Sequence, residues 1–284
     1  VVPPLRGWRS LLAYPKHIIA GNISWYGYAN ADYLVAGRVL GLQALGHYQF
    51  AWNIAQLPSD KLTSVLQGVT GPLFGSLGSA PARARDLLVD VLELTALIVL
   101  PITIGLSVVA TDAIPLLFGE QWRESVAPLR LLLVNGSLLS LSVMITQALN
   151  ACGRAAVTGR LGLLLLVLMP VGYVVGAHLG GNLGIASVWV LAQPLLLGVP
   201  LRDARQVLGL RLRDFARAIG PAVGAVALMS IAVVATRGAL LGRVSTAALL
   251  AVQVAVGALV YVGAHVTVFG ARTRAALRRW RGGT

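Results

Sequence analysis

The stretch "NIAQLPSDKLTSVLQG", residues 53–68, sits inside a mostly apolar run from Ala44 to Leu77, yet it holds Pro58, Asp60 and Lys61. A wholly helical 44–77 would extend about 50 Å, well beyond a ~30 Å hydrocarbon core, so it must tilt, bend or protrude. Pro58 removes one backbone hydrogen bond and permits a kink. Asp60 and Lys61 are neighbours, so their side chains point about 100° apart and do not simply neutralise one another. A charge in a membrane span is costly against lipid and turns toward protein or water. Two placements satisfy that rule. In one, Lys61 faces a hydrated cavity as an anion-binding cation, with Asp60 capping or pairing beside the kink. In the other, residues 58–61 lie near the cytoplasmic interface and snorkel to it.

The rest of the chain has the same bilayer character. Of 284 residues, 57% are hydrophobic and 12% charged, and the mean hydropathy is +0.78. A soluble domain of this length carries about twice that charge density. Apolar segments recur at 17–39, 44–77, 87–110, 126–150, 157–178, 183–200, 215–236 and 244–268. The expected fold class is therefore all-α, a polytopic membrane protein of eight transmembrane helices.

The net charge of +13 does not point to nucleic acid, because the basic residues gather in loops and at the end, as in "RTRAALRRWRGG". With the N-terminus placed in the cytoplasm, alternation gives most Lys and Arg to cytoplasmic segments. These hold Arg6, Arg9 and Lys16, Arg83 and Arg85, Arg154 and Arg160, the five arginines of 202–217, and those of the tail. The opposite loops hold few: Arg123 beside Asp112, Glu120 and Glu124, then Arg237 and Arg243. This is the positive-inside pattern, with both ends of the chain cytoplasmic in a multi-pass cytoplasmic-membrane protein. The composition divides into a cytoplasmic linker (1–16), a six-helix bundle (17–200), a basic linker (201–217), a two-helix appendage (218–268) and a basic tail (269–284). The chain opens on Val1 without a signal-peptide pattern and reads as a piece of a longer protein, cut inside a loop.

Polar residues inside the spans are the candidate site. Asn22, Trp25, Tyr26 and Asn30 share a helical stripe that suits either sugar recognition or an interfacial aromatic belt. Asp32 either lines a cavity and meets a cation or is a hydrogen-bonded packing residue. Arg38, about 240° round the helix from it, guards a mouth or snorkels. Asn53 and Gln56 continue the polar content into the second helix, and Gln147 is the candidate contact on the fourth. The serines of the fourth helix read as interhelical glue. The single Cys152 and four scattered histidines give no intramolecular disulfide and no metal cluster, and no cofactor is expected. Short loops without paired carboxylates argue against an embedded enzyme such as a polymerase or glycosyltransferase.

Several segments carry a family resemblance. "NADYLVAGRVLGLQALGHYQFAWNIAQLP" (30–58) supplies Asp32, Gly37, Arg38, Leu40-Gly41, Gly46-His47-Tyr48, Ala51-Trp52-Asn53 and Pro58. "PLLFGEQWRESVAPLRLL" (115–132) and "ALNACGRAAVTGRLG" (148–162) follow in order. Together they resemble the prokaryotic polysaccharide flippases, the Wzx-type and export transporters of the multidrug/oligosaccharidyl-lipid/polysaccharide superfamily. The resemblance implies two six-helix bundles facing one another around a cavity, some members adding two further helices. This chain would be helices seven to fourteen, lacking the N-terminal bundle. The implied substrate is an undecaprenyl-diphosphate-linked oligosaccharide, moved by alternating access, with Lys61 and Arg38 as this half's candidates for the diphosphate. The alternatives are a drug or cation antiporter of the same superfamily, relying on acids such as Asp32 and Asp60, or a non-catalytic membrane component of a glycan-assembly enzyme. The expected partners are the lipid-linked oligosaccharide, membrane lipids and the absent bundle.

Overall fold

The computed structural model describes residues 26–76, 81–153 and 155–269. Asn22, Trp25, the linker 1–16 and the tail from 270 onward lie outside these. α1 (26–40) ends in a widened turn over Ala36–Leu40. α2 (Leu42–Ser76) follows and runs unbroken through Pro58 and Pro72. α3 (Pro81–Phe118) leads through a tight turn, Glu120–Ser125, into α4 (Val126–Ala151).

The next helical stretch, Ala155–Leu208, is not one rod. Gly180 and Gly181 leave helical geometry, Gly181 at φ 55 and ψ −137, a conformation that costs glycine little. Gly176 and Gly184 then lie backbone to backbone, so that a Cβ at Gly184 would overlap the Gly176 carbonyl. Eight residues along a straight helix are about 12 Å apart, so the chain reverses here. Val188 packs on Gly172 and Trp189 on Tyr173, which continues the same antiparallel register. We label the two arms α5 (155–179) and α6 (182–208). α7 (Leu212–Leu240) and α8 (Thr246–Ala264) complete the chain, and a widened turn over His265–Phe269 extends the latter.

Cross-contacts give the directions. Ser59 meets Gly136, Thr63 meets Ser140 and Thr70 meets Gln147, a constant offset that makes α2 and α4 parallel. Asp32 pairs with Tyr48 across antiparallel α1 and α2, and Trp52 with Trp189 across parallel α2 and α6. Met229 of α7 packs at Gly105, and Arg237 reaches Asp112, so α7 runs parallel to α3. The helices therefore alternate in direction. One end gathers the turns at Gly41, Gly119–Ser125, Gly180–Asn182 and Leu241–Ser245. The other holds Gly153 and the α6–α7 elbow.

The protein is all-helical and polytopic. Among the described residues, five helices are long and apolar enough to cross a membrane: Ala82–Phe118, Glu120–Ala151, Leu164–Leu208, Leu212–Leu240 and Thr246–Thr267. The third contains the α5–α6 hairpin. α2 is long enough at 35 residues but is not among the five, because its glutamines, Asn53, Asp60 and Lys61 lower its hydropathy. The expected eight spans are thus not reached on length and apolarity alone.

Two cores hold the helices together. One joins α1, α2, α5 and α6 to the adjoining halves of α3 and α4, around Tyr48, Leu129, Tyr173 and Trp189. The other joins α3 to the far half of α4 and to α7, and includes Leu88, Leu92, Met144, Phe215, Ala222 and Met229. Lipid tails are as apolar as leucine, so close packing and polar pairs supply much of the specificity. The final helix pair has such a pair. Asp112 of α3 is buried and accepts from Arg237 Nε at 2.7 Å and Nη2 at 3.0 Å, while Gln253 of α8 donates to it at 3.4 Å. Tyr261 Oη donates to the Leu97 carbonyl at 2.7 Å, a second tie between α8 and α3.

Candidate functional site

α2 presents two unlike faces, and the site is built from their difference. Ala51, Ala55, Ser59, Thr63 and Thr70 recur at helical spacing and are buried. They pack on α4 through Gly136, where a Cβ would come within 2.6 Å of Ser59 Oγ. Thr63 Oγ1 donates to Ser140 Oγ at 3.2 Å, and Ser140 in turn donates to the Gly136 carbonyl at 2.9 Å. Gln147 closes the seam: its Oε1 accepts from Thr70 at 3.1 Å and its Nε2 donates to the Gln67 carbonyl at 3.1 Å. The structure places Gln147 between helices, away from the exposed stripe, and engages both ends of its amide. Next to Gly136 on α4, Asn135 is buried and receives a hydrogen bond from Gln193 of α6.

The opposite face carries Gln49, Asn53, Asp60, Lys61 and Ser64, all exposed, with Gln56 half-buried at its edge. Among the described residues neither Asp60 nor Lys61 makes an ion pair. Ser64 Oγ donates to the Lys61 carbonyl at 3.0 Å, a bond within the helix that leaves the ammonium free to reach outward. On α1, Tyr26 (72% exposed), Asn30, Leu34 and Arg38 form a second stripe at four-residue spacing. Asn30 Nδ2 donates to the Tyr26 carbonyl at 2.7 Å, and Arg38 is exposed at the widened end of the helix.

Asp32 belongs to neither stripe. It is wholly buried, and its Oδ2 accepts from Tyr48 Oη at 2.9 Å and Trp189 Nε1 at 3.3 Å. Its Oδ1 accepts from the Tyr33 amide at 2.8 Å. Tyr33 lies edge-on to both Tyr48 and Trp52, and Trp52 packs on Trp189 at 4.9 Å between centroids. Tyr173 is also buried against Trp189, and its Oη has no hydrogen-bond partner among the described residues. Arg38 is not brought to this cage. A buried carboxylate held by neutral donors from α2 and α6 ties three helices together.

Sequence reasoning did not assemble that cage. Tyr48 and Trp52 lie four apart beside the "GHY" motif, which marks a shared face, but Trp189 is 157 residues from Asp32 and carries no local signal. His47, one of the four scattered histidines, has its Nδ1 3.0 Å from Glu124 Oε2 and its ring edge-on to Trp122. Among the described residues no group of three or more His, Cys, Asp and Glu could hold a metal ion.

Comparison with known proteins agrees with this architecture. Residues 3–127 match a family model described as polysaccharide biosynthesis protein. The lipopolysaccharide biosynthesis protein WzxC of Escherichia coli (strain K12) is 29% identical over 182 residues, 64% of this chain and 37% of that protein. The succinoglycan biosynthesis transport protein ExoT of Rhizobium meliloti (strain 1021) is 29% identical over 157 residues, covering 55% and 32% respectively. The teichuronic acid biosynthesis protein TuaB of Bacillus subtilis (strain 168) is 29% identical over 151 residues, covering 53% and 31%. The chain thus spans about a third of the length of the curated relatives it matches. Among solved structures, the lipid II flippase MurJ in an inward closed conformation superposes on 96% of this chain and 57% of that one. The TM-score is 0.69 at 12% identity, a likeness of fold.

Proposed function

We propose that this chain, a relative of the Wzx-type polysaccharide biosynthesis proteins, is one bundle of a flippase for lipid-linked oligosaccharides. The observation that carries the reading is the uncovered polar face of α2. In an otherwise apolar membrane protein, Asn53, Asp60 and Lys61 stand exposed on a long helix whose other face is fully packed. Such a face is stable in a bilayer only against water or a second polar surface.

The chemistry follows from the residue types. A diphosphate needs a cation, and Lys61 with Arg38 supplies charge without the cost of breaking a native ion pair. Asn53 and Gln56 offer amide donors and acceptors to sugar hydroxyls, while Tyr26 offers an aromatic face to sugar C–H groups. Asp60 keeps the stripe from binding its anion too tightly. Asp32 and Gln147 act from behind, fixing α1, α2, α4 and α6 as a rigid wall. Because the chain spans about a third of its curated relatives, the facing wall comes from the rest of the protein. The polyprenyl tail stays in lipid while the two walls rock about the headgroup, so that no covalent bond is made or broken.

The six-plus-two division and the eight crossings belong to this reading, as does an orientation with the basic α6–α7 elbow on the cytoplasmic side of the inner membrane. The test uses the full-length protein in a strain lacking its polysaccharide flippase. Restored surface polysaccharide with the native chain, and about tenfold less with Lys61→Met at equal membrane abundance, is the expected result. Failure to restore it, together with export of a cationic dye, would replace the flippase by an antiporter.

A further inference from the structure

The arginines of this chain fall into two populations. Arg123 pairs with Glu120 at 2.6 Å, Arg237 with Asp112 at 2.7 Å and Arg85 with Asp86 at 2.8 Å. At the elbow between α6 and α7 the pattern stops. Arg202, Arg205, Arg211, Arg213 and Arg217 are all exposed, and none makes an ion pair with a carboxylate of the described residues. The elbow is nevertheless well ordered by its own chemistry. Gly209 takes φ 70 to end α6, the buried Leu210 donates its amide to the Ala204 carbonyl at 3.3 Å, and the Arg211 amide donates to Asp214 Oδ2 at 3.2 Å. Asp214 is thereby committed to the start of α7 and does not serve the guanidinium groups. The other nearby acid, Asp203, has its Oδ2 buried.

The helices that carry the apolar spans end at Leu208 and resume at Leu212, and the five arginines lie within about two turns of those ends. Leu212, 59% exposed, lies between Arg211 and Arg213 and presents an apolar side chain beside them. Guanidinium forks clustered on an ordered elbow at the ends of apolar helices, with an apolar neighbour and no counter-ion among the described residues, match a ligand having phosphate oxygens at one end and hydrocarbon at the other. We propose that the α6–α7 elbow is a binding site for the headgroup of an acidic phospholipid, independent of the polar stripe on α2.

Native mass spectrometry of the full-length protein, titrated in detergent with cardiolipin or phosphatidylcholine, tests this directly. Cardiolipin should be retained about tenfold better, and the variant with all five arginines changed to Gln should fall to within about twofold of phosphatidylcholine. Two smaller variants, R202Q/R205Q and R213Q/R217Q, keep the test decisive where the fivefold variant does not fold; each should lower the preference about threefold. Arg243→Gln, in the exposed turn at the opposite end, should leave it unchanged. A native protein without preference, Gln variants that retain it, or an equal loss on Arg243→Gln would overturn the site. Displacement of cardiolipin by excess inorganic phosphate, or by a soluble acidic peptide, would overturn the lipid as its occupant.

Discussion

The two faces of α2 both carry polar side chains and put them to opposite uses. On the face toward α4, the polar side chains of α2 are the short hydroxyls of Ser59, Thr63 and Thr70, and the bonds of the seam run between helices or back to a helix backbone. On the other face the side chains are longer, carry charge and are exposed. Polarity in a membrane helix therefore has two meanings, and only the neighbour across the helix distinguishes them. A hydroxyl or amide that meets a partner locks the wall, whereas a charge that meets none is available to a ligand.

Substitutions can break that contrast. Gly136→Leu should have the largest effect on stability, because its side chain would displace Ser59 and force α2 from α4. Overpacking of this kind costs about 1–3 kcal/mol, read as a lower thermal midpoint of the full-length protein in detergent. Gln147→Leu should cost less, about 1 kcal/mol, since it removes two interhelical bonds from a seam that otherwise remains packed. Asn53→Ala on the exposed face should change stability by less than about 0.5 kcal/mol and, if the proposed flippase role holds, lower the surface polysaccharide restored in the flippase-null strain. A large loss of stability for Asn53→Ala, or none for Gly136→Leu, would show that the two faces had been assigned in reverse.

Much of the architecture was legible because it rests on local pattern. Apolar length gave the helices, and the period of 3.6 set Asp60 and Lys61 about 100° apart. The gap between the apolar segments 157–178 and 183–200 marked the α5–α6 reversal. What was not legible is pairing across distance. Gln147 has the same amide whether it faces a sugar or Thr70, and only the position of α2 decides. Asp32 could have lined a cavity until Tyr48 and Trp189 were found to enclose it. Asp112 and Arg237 were visible as charges on the same side of the bilayer, but 125 residues separate them and nothing local says that they touch.

That last pair bears on how such chains can be shortened. If α7 and α8 were removed at the elbow, the Asp112 carboxylate would lose both of its hydrogen-bonding partners, Arg237 and Gln253, on the flank of α3. A homologue that ends before these helices is expected to carry a neutral residue at that position, or a cation from elsewhere. The acid and the arginine are thus expected to be gained and lost together, which the sequences of shorter and longer relatives would check.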